Sequence, residues 1–231
     1  MFFDGADGRM NYRIWRAAAE PAAVLVFLHG IGQCSADYHR FGRAMARGGI
    51  EVWGLDHPGH GLSEGAAGAM PPLPVLVANA EIILSMAHAA HPHLPLVLAG
   101  HSLGAGTALL TMHEFGIPAR HVRGLALTGT PSRDVIMKLP PPAAPVLLMH
   151  GAEDRIAAIE PVRHWSSRSA AIEFHEFPNS GHDLLHEPGY RDIQALITEF
   201  TLSVGRTAQW TTRISQAAKI TVDTPPIRVE I

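Results

Sequence analysis

Six short apolar runs, separated by longer segments, constrain the fold of this chain more than any other feature. The runs are AAVLVFLHG, IEVWGLD, LPLVLAG, RGLALTGT, APVLLMHG and AIEFHEF. Most are continuously apolar, which is typical of strands buried on both faces of a parallel sheet. Helix-like segments lie between and after them, namely YHRFGRAMARGG, PVLVANAEIILSMAHAA, LGAGTALLTMHEFG and GYRDIQALITEFTLSVG. The alternation predicts an α/β fold with a mostly parallel sheet and helices on both faces.

The first residues of the chain follow a different pattern. In FFDGADGRMNYRIW, apolar and polar residues alternate through Tyr12 and Ile14, and turn residues stand at Asp7 and Gly8. Alternation interrupted by an Asp-Gly pair is typical of a β-hairpin. We therefore expect an antiparallel pair of strands at one edge of the sheet.

Length and charge narrow the class of partner. The chain has 231 residues, 47% of them hydrophobic, and a formal net charge of −3. These values suit one sizeable domain, which we place at residues 1–205, with a C-terminal extension at 206–231. Neither sign of charge dominates, so the sequence predicts no nucleic-acid partner, and no Lys/Arg-rich amphipathic segment suggests anionic lipid. A small molecule is the expected partner.

The sequence also suggests a compartment. Cys34 is the single cysteine, so no internal disulfide can form, and MFFDGADGRM lacks the cationic and apolar regions of a secretory signal. We expect a reducing, cytoplasmic setting. No apolar run approaches the roughly 20 residues that span a bilayer, so no integral membrane association is expected.

The segment AGHSLGAG places a serine at a sharp change of direction. A buried strand is predicted to end at Gly100 and a helix to begin near Leu103, which puts Ser102 in the turn between them. Glycine at positions 100 and 104 removes the Cβ atoms that would collide where strand and helix approach closely. Ser102 is thereby a candidate nucleophile at the carboxyl edge of the sheet.

A nucleophilic serine needs a base, and the base needs a carboxylate to orient it. PVLLMHGAEDRI puts Asp154 just beyond the next-to-last predicted strand, and FPNSGHDLLHE puts His182 just beyond the last. The chain order Ser102, Asp154, His182 is the order expected when such a triad is built on an α/β sheet. We assign these three residues as nucleophile, acid and base.

Competitors exist for the acid and for the base. Asp134 follows the preceding strand, where some hydrolases carry the acid, but an apolar strand delivers Asp154 directly. His175 falls within a predicted strand, and His186 lies a turn into the next segment, whereas His182 follows the flexible NSG. His101 is expected to pack beneath the serine turn.

Two backbone N–H groups are candidates for stabilising negative charge on an attacked carbonyl oxygen. The Leu103 N–H stands at a helix start, where the helix dipole favours an anion. The second donor should come from the turn in VFLHGIGQCSADY, where we assign the Ile31 N–H. Cys34 follows closely, but with no evident base beside it we expect a small buried apolar side chain.

These residues carry a family resemblance. LHGIGQCSADYHRFGRAMARGGIEVWGLDHPGHGLSEG together with LAGHSLGAG resembles the serine α/β-hydrolases of the monoacylglycerol lipase and lysophospholipase type. The likeness covers about Val24–Ala108 and resumes around the predicted acid and base. It implies the α/β-hydrolase fold, with Ser102, Asp154 and His182 as triad and with oxyanion-hole amides at Ile31 and Leu103. We interpret the shared residues Asp56, His57 and His60 as shaping a loop behind the site.

The sequence departs from that family in two places. Where such lipases insert a helical cap, this chain has only PSRDVIMKLPPPA, and Pro140–Pro142 prevent a long helix there. The cap is therefore predicted to be reduced or absent. After residue 205, KITVDTPPIRVEI has a strand pattern, so we expect this tail to pair with a sheet edge of its own chain or of a second copy, forming a homodimer.

Together these features predict a serine hydrolase that cleaves carboxylic esters of short to medium acyl chain through an acyl-enzyme. The three side chains and two backbone N–H groups are enough for this reaction, so neither a cofactor nor a metal ion is expected. HAAHPH holds His88, His91 and His93, but with no carboxylate or thiolate beside them we interpret it as a helix end. Two alternatives stay open, namely a thioesterase or acyltransferase of a biosynthetic pathway and a non-catalytic ligand-binding protein.

Overall fold

The computed structural model describes residues 1–114 and 121–204, within which eight strands form one sheet. The strands are β1 (Phe2–Gly5), β2 (Gly8–Trp15), β3 (Ala23–Leu28), β4 (Ile50–Leu55), β5 (Leu96–His101), β6 (Val122–Thr128), β7 (Val146–Gly151) and β8 (Ile172–Phe177). Their order across the sheet is β1-β2-β4-β3-β5-β6-β7-β8. Strands β3 to β8 run parallel, and β1 and β2 are antiparallel to their neighbours. The predicted fold class, including the antiparallel edge, is confirmed.

The hairpin at the edge differs from the prediction by one residue. Gly5 pairs with Gly8, so the two turn residues are Ala6 and Asp7. Gly8 is the first residue of β2, and its φ of 96° is one that a residue with a side chain rarely adopts.

Within these same ranges, six α-helices cover the sheet. They are α1 (His39–Arg47), α2 (Leu73–Ala90), α3 (Leu103–Glu114), α4 (Asp134–Met137), α5 (Ile159–Ser166) and α6 (Tyr190–Ser203), with a 3-10 helix at Ser35–Tyr38 before α1. Side chains of α2, α3 and α5 pack on one face of the sheet, and those of α1 and α6 pack on the other. Because side chains of a strand alternate between faces, each parallel strand contributes to both cores. This is why most of the runs in the sequence are continuously apolar, whereas β8, at the edge of the sheet, largely alternates.

Helix α2 is the one element of the described residues that could cross a membrane by length and composition alone. In this structure its buried residues, among them Leu76, Ala80, Ile83 and Leu84, belong to the core that it shares with α3 and the sheet. The expectation that the chain has no integral membrane association stays a prediction.

The segment between β6 and β7 holds a single turn of helix. Helix α4 has four residues and begins at Asp134, the competing candidate for the acid, and prolines follow at 140–142. The cap is therefore reduced, as the prolines predict. The predicted C-terminal extension, residues 206–231, lies outside the described residues, so its strand and homodimer contact stay predictions.

Candidate active site

The carboxyl ends of the parallel strands bring the predicted residues together. Ser102 follows β5 in the centre of the sheet, and Asp154 and His182 follow β7 and β8. In an open parallel sheet, loops at this edge commonly form the binding crevice. Residues separated by as many as 80 positions in the chain thus meet at one place.

Ser102 occupies a strained turn between β5 and α3. Its φ of 51° is the only positive value among non-glycine residues of the described ranges. A Cβ at Gly100 would lie 2.4 Å from backbone atoms of Gly104, and a Cβ at Gly104 would lie 2.0 Å from the Leu28 carbonyl oxygen. The two glycines allow the strand and the helix to approach this closely, so the turn can present the serine at the sheet edge.

Three side chains form a continuous hydrogen-bonded chain. Ser102 Oγ lies 2.8 Å from His182 Nε2, and His182 Nδ1 lies 2.6 Å from Asp154 Oδ2. The carboxylate accepts from Nδ1–H, which leaves Nε2 unprotonated to accept the serine hydroxyl proton. The arrangement therefore holds the imidazole in the tautomer that can act as a base toward Ser102.

Three N–H groups donate to the carboxylate of Asp154, and His150 Nε2, which donates to the Ala157 carbonyl, lies 3.2 Å from it. Oδ1 accepts from the backbone N–H groups of Ile156 and Ala157, each at 2.8 Å, while His182 Nδ1 and His150 Nε2 face Oδ2. Burial alone would raise the pKa of Asp154, but hydrogen bonds from His150, His182 and the two N–H groups outweigh it and hold that pKa well below its usual range. Asp154 is therefore ionised at neutral pH.

The competing residues lie elsewhere. The Asp134 carboxylate is 86% exposed and pairs with Lys138. His175 Nε2 contacts Glu173 on its own strand, 2.6 Å away, and His186 contacts Asp183. Neither of these histidines has a hydrogen bond to Ser102.

Backbone N–H groups border the serine on two sides. Leu103 is the first residue of α3, and Gly30 lies so close that a Cβ there would be 3.2 Å from the Ser102 Cβ. Within residues 1–114 and 121–204, neither the Ile31 nor the Leu103 N–H donates a hydrogen bond. Two N–H groups without acceptors beside a serine can receive an oxyanion.

A network around Gln33 holds the turn that carries Ile31. Gln33 Oε1 accepts from the Gly30 N–H at 3.0 Å and from the Tyr38 hydroxyl at 2.6 Å, and its Nε2 donates to Asp183 at 3.1 Å. Because Asp183 directly follows His182, this network joins the Ile31 turn to the loop of the base.

Histidines and an aspartate support the same turn from behind. His29 Nε2 accepts from the His57 N–H at 2.9 Å, and their rings meet edge to face. Asp56 is buried and accepts from the N–H groups of Ser35 and Leu62. Asp56 and His57 thus shape the loop behind the site, and Cys34 is half-buried, not fully buried as expected.

A mainly apolar cavity of about 270 Å³ opens beside Ser102 and His182. Its apolar lining comes from α3, α4 and neighbouring loops and comprises Ile31, Met70, Leu73, Leu103, Leu110, Val135, Ile136, Ile156 and Ala157. The segment GAAGAMPPLP contributes Met70 and Leu73 to the wall, and both are also exposed, so this segment is part wall and part surface. The cavity can hold an apolar group next to the serine.

Sequence reasoning missed three polar residues of this site, namely Gln33, His150 and Asp183. Gln33 and Asp183 are 150 positions apart, so no local pattern could pair them. The one signal in the sequence that could have marked His150 is a polar residue near the end of a continuously apolar run. In the structure this histidine is fully buried.

Comparison with known proteins places this chain in a family. A profile described as serine aminopeptidase, S33 matches residues 19–141, which include the Ile31 turn and Ser102 but end before Asp154. The monoacylglycerol lipase of Mycolicibacterium smegmatis is 33% identical over 105 residues, which cover 45% of this chain and 38% of that protein. The chain thus matches less than two fifths of that relative's length.

Two solved structures share the fold over most of their length. A highly thermostable carboxyl esterase from Bacillus coagulans superposes with a TM-score of 0.77 at 16% identity, covering 89% of this chain and 98% of that one. A soluble variant of monoglyceride lipase from Saccharomyces cerevisiae gives a TM-score of 0.77 at 14% identity, covering 89% and 94%. Together, the fold and the matching profile show that this chain belongs to the serine aminopeptidase S33 family of the α/β-hydrolase superfamily.

Proposed function

We propose that this protein is a serine esterase that cleaves small carboxylic esters through an acyl-enzyme. The observation that carries the proposal is the hydrogen-bonded chain from Ser102 Oγ through His182 to Asp154. The names of its relatives add support, since one is a monoacylglycerol lipase and a structural neighbour is a carboxyl esterase. Both names describe the hydrolysis of an ester.

In the proposed reaction, Ser102 Oγ attacks the acyl carbon while His182 Nε2 takes the hydroxyl proton. The carbonyl oxygen becomes an oxyanion, which the N–H groups of Ile31 and Leu103 stabilise. His182 then gives the proton to the leaving alcohol, and the acyl group stays on Ser102. A water molecule, deprotonated by His182, cleaves this ester and restores the enzyme. Asp154 supports the imidazolium throughout.

The apolar cavity is the proposed acyl site. Burial of each methylene is worth about 0.8 kcal/mol, so activity should rise with chain length until the walled space is full. Among the described residues, α4 is the only helix between β6 and β7, and it contributes just Val135 and Ile136 to the wall, so we expect kcat/KM to peak at short to medium chains. A p-nitrophenyl ester series from acetate to palmitate measures this, and a steady rise out to palmitate would contradict the open-site interpretation.

Steady-state hydrolysis of p-nitrophenyl butyrate tests the function itself. The variant Ser102→Ala should lose about 10⁴- to 10⁶-fold in kcat relative to the original chain, because the nucleophile is gone. The matched control is Ser167→Ala, a serine at the exposed end of α5 that bonds only within its own helix. Circular dichroism should show the same fold in both variants. If Ser102→Ala keeps its activity within tenfold, the proposed function is wrong.

A further inference from the structure

His150 lies at the carboxyl end of β7, four residues before Asp154, and its side chain is completely buried. Its Nε2 atom lies 2.8 Å from the Ala157 carbonyl oxygen and 3.2 Å from Asp154 Oδ2. Both oxygens are acceptors, so hydrogen bonding assigns the ring proton to Nε2. The imidazole thereby connects the carboxylate to the far end of the loop that carries it.

Burial of the other ring nitrogen of His150, Nδ1, does not stabilise the fold. Within the part of the chain that the structure describes, Nδ1 is buried and has no hydrogen-bond partner. A buried polar atom without a partner destabilises the folded state, so a side chain selected for packing alone would be apolar here. The role of His150 must therefore come from its Nε2–H.

That N–H lies between two acceptors, the Ala157 carbonyl at 2.8 Å and the Asp154 carboxylate at 3.2 Å, so it ties the carboxylate to its own loop. The backbone N–H groups of Ile156 and Ala157 hold Oδ1, and His182 and His150 share Oδ2. Without His150, the position of Oδ2 would depend on its bond to His182 alone. The Ala157 carbonyl would also lose its partner, and the Ala157 N–H is itself one of the donors to Oδ1.

We propose that His150 is a positioning residue, whose Nε2–H fixes the plane of the Asp154 carboxylate so that Oδ2 meets His182 Nδ1. The assignment rests on the proposed function only in that Asp154 is the acid of the proposed triad. His150 contacts neither Ser102 nor the apolar cavity, so it acts through Asp154 and not on substrate.

The proposal has a consequence for the pH profile. The Nε2–H group partly neutralises the negative charge on Oδ2. When His150 is replaced by a residue without a donor, Oδ2 becomes a stronger acceptor for the His182 proton. The acidic limb of kcat/KM should then move to higher pH. Charged and titratable groups that also face this cluster are His101 at the end of β5, Glu176 on β8 and Asp183 after His182. None of these groups changes in the variants below.

Two kinds of substitution distinguish the effect of the His150 hydrogen-bond donor from the effect of its side-chain volume. His150→Gln can place an amide N–H near the position of Nε2, whereas His150→Leu and His150→Met fill the space without a donor. We expect the donor-free variants to lose about 10- to 100-fold in kcat with KM within threefold, and His150→Gln to keep most of the activity. The acidic limb should move only in the donor-free variants.

The control for lost stability is Leu148→Ala, two residues earlier on β7 and buried in the core. It should lower Tm while leaving kcat per folded molecule and the pH profile unchanged. If the His150 variants behave like Leu148→Ala, or if His150→Gln is as impaired as His150→Leu, the positioning role is wrong.

A second readout does not depend on turnover. In the 1H NMR spectrum, the proton between His182 Nδ1 and Asp154 Oδ2, which are 2.6 Å apart, should give a low-field resonance. We expect it to shift or disappear in the donor-free variants and to persist in His150→Gln. An unchanged resonance in His150→Leu would overturn the proposal. If the original chain shows no esterase activity, the proposed function is wrong, and the NMR measurement still tests the positioning role of His150.

Discussion

The imidazole of His182 has a hydrogen-bond partner on each nitrogen, and the Asp154 bond decides which nitrogen carries the proton. Asp154→Asn would place an amide against Nδ1 and favour the wrong tautomer. We expect kcat for ester hydrolysis to fall about 10⁴-fold, as tautomer loss does in comparable triads. Asp134→Asn is the control, because its carboxylate is exposed on α4 beside Lys138, and kcat should stay within twofold. The reverse ranking of the two variants would move the acid to Asp134.

Single residues could be predicted where chain position alone defines their surroundings. Ser102 and Asp154 follow continuously apolar strands, and His182 follows β8, in which apolar and polar residues largely alternate. Because parallel strands end at one edge, the sequence brings the three residues together without any contact information. Gln33 and His150 carry no such signal. Their partners depend on side-chain direction and on which loop folds over which strand end, and neither property is periodic in the sequence.

Helix α3 can approach strand β3 closely because Gly104 has no side chain. Because a Cβ at Gly104 would lie 2.0 Å from the Leu28 carbonyl oxygen, the helix must shift to accept Gly104→Ala. We expect a loss of about 1–3 kcal/mol in the free energy of unfolding, measured by urea denaturation, and a lower kcat as Ser102 moves with the helix.

Gly106→Ala is the matched control in the same helix. A Cβ there would meet Pro131 and Ile136 at ordinary distances of 3.4 and 3.5 Å. Since alanine is a better helix former than glycine, stability should be unchanged or rise by up to about 1 kcal/mol. Equal losses of stability in both variants would show that close packing at Gly104 is not the cause.

The six parallel strands and four long helices were predicted because their apolar patterns extend over many residues. The 3-10 helix at Ser35–Tyr38 and helices α4 and α5 were not predicted. They have four to eight residues, too few to show a helical period, and α5 also carries Pro161 within its first turn. Short helices of this kind form because contacts with neighbouring elements stabilise them. In α5, for example, Trp165 packs in the core and donates a hydrogen bond to the Leu139 carbonyl.

For the whole molecule, buried histidines predict how stability depends on pH. Burial lowers the pKa of His29 and of His101 to about 4, and lowers that of His57 well below its usual value. The unfolded chain takes up these protons near pH 6.5, so the stabilisation is complete above that pH and is lost as pH falls toward 4. One such histidine accounts for on the order of 3 kcal/mol.

Urea unfolding between pH 7.5 and 4.5 measures this dependence. The free energy of unfolding should decrease as the pH is lowered, and His101→Gln should show a shallower decrease. The pKa of His186 is raised by its hydrogen bond to Asp183, so its contribution to stability has the opposite sign and is lost as pH rises. This contribution is smaller than that of the three buried histidines, because it comes from one half-exposed pair. Stability that is constant or increases toward pH 4.5 would contradict the prediction.

In the proposed reaction Ser102 carries the acyl group during ester hydrolysis, and intact-protein mass spectrometry can detect that group on the enzyme. The full chain is mixed with p-nitrophenyl butyrate and quenched in acid within milliseconds, and the modified peptide is then identified. We expect a mass increase of one butyryl group on Ser102, with no such adduct in Ser102→Ala. Hydrolysis at the normal rate without an adduct, or an adduct on another residue that turns over with kcat, would contradict it.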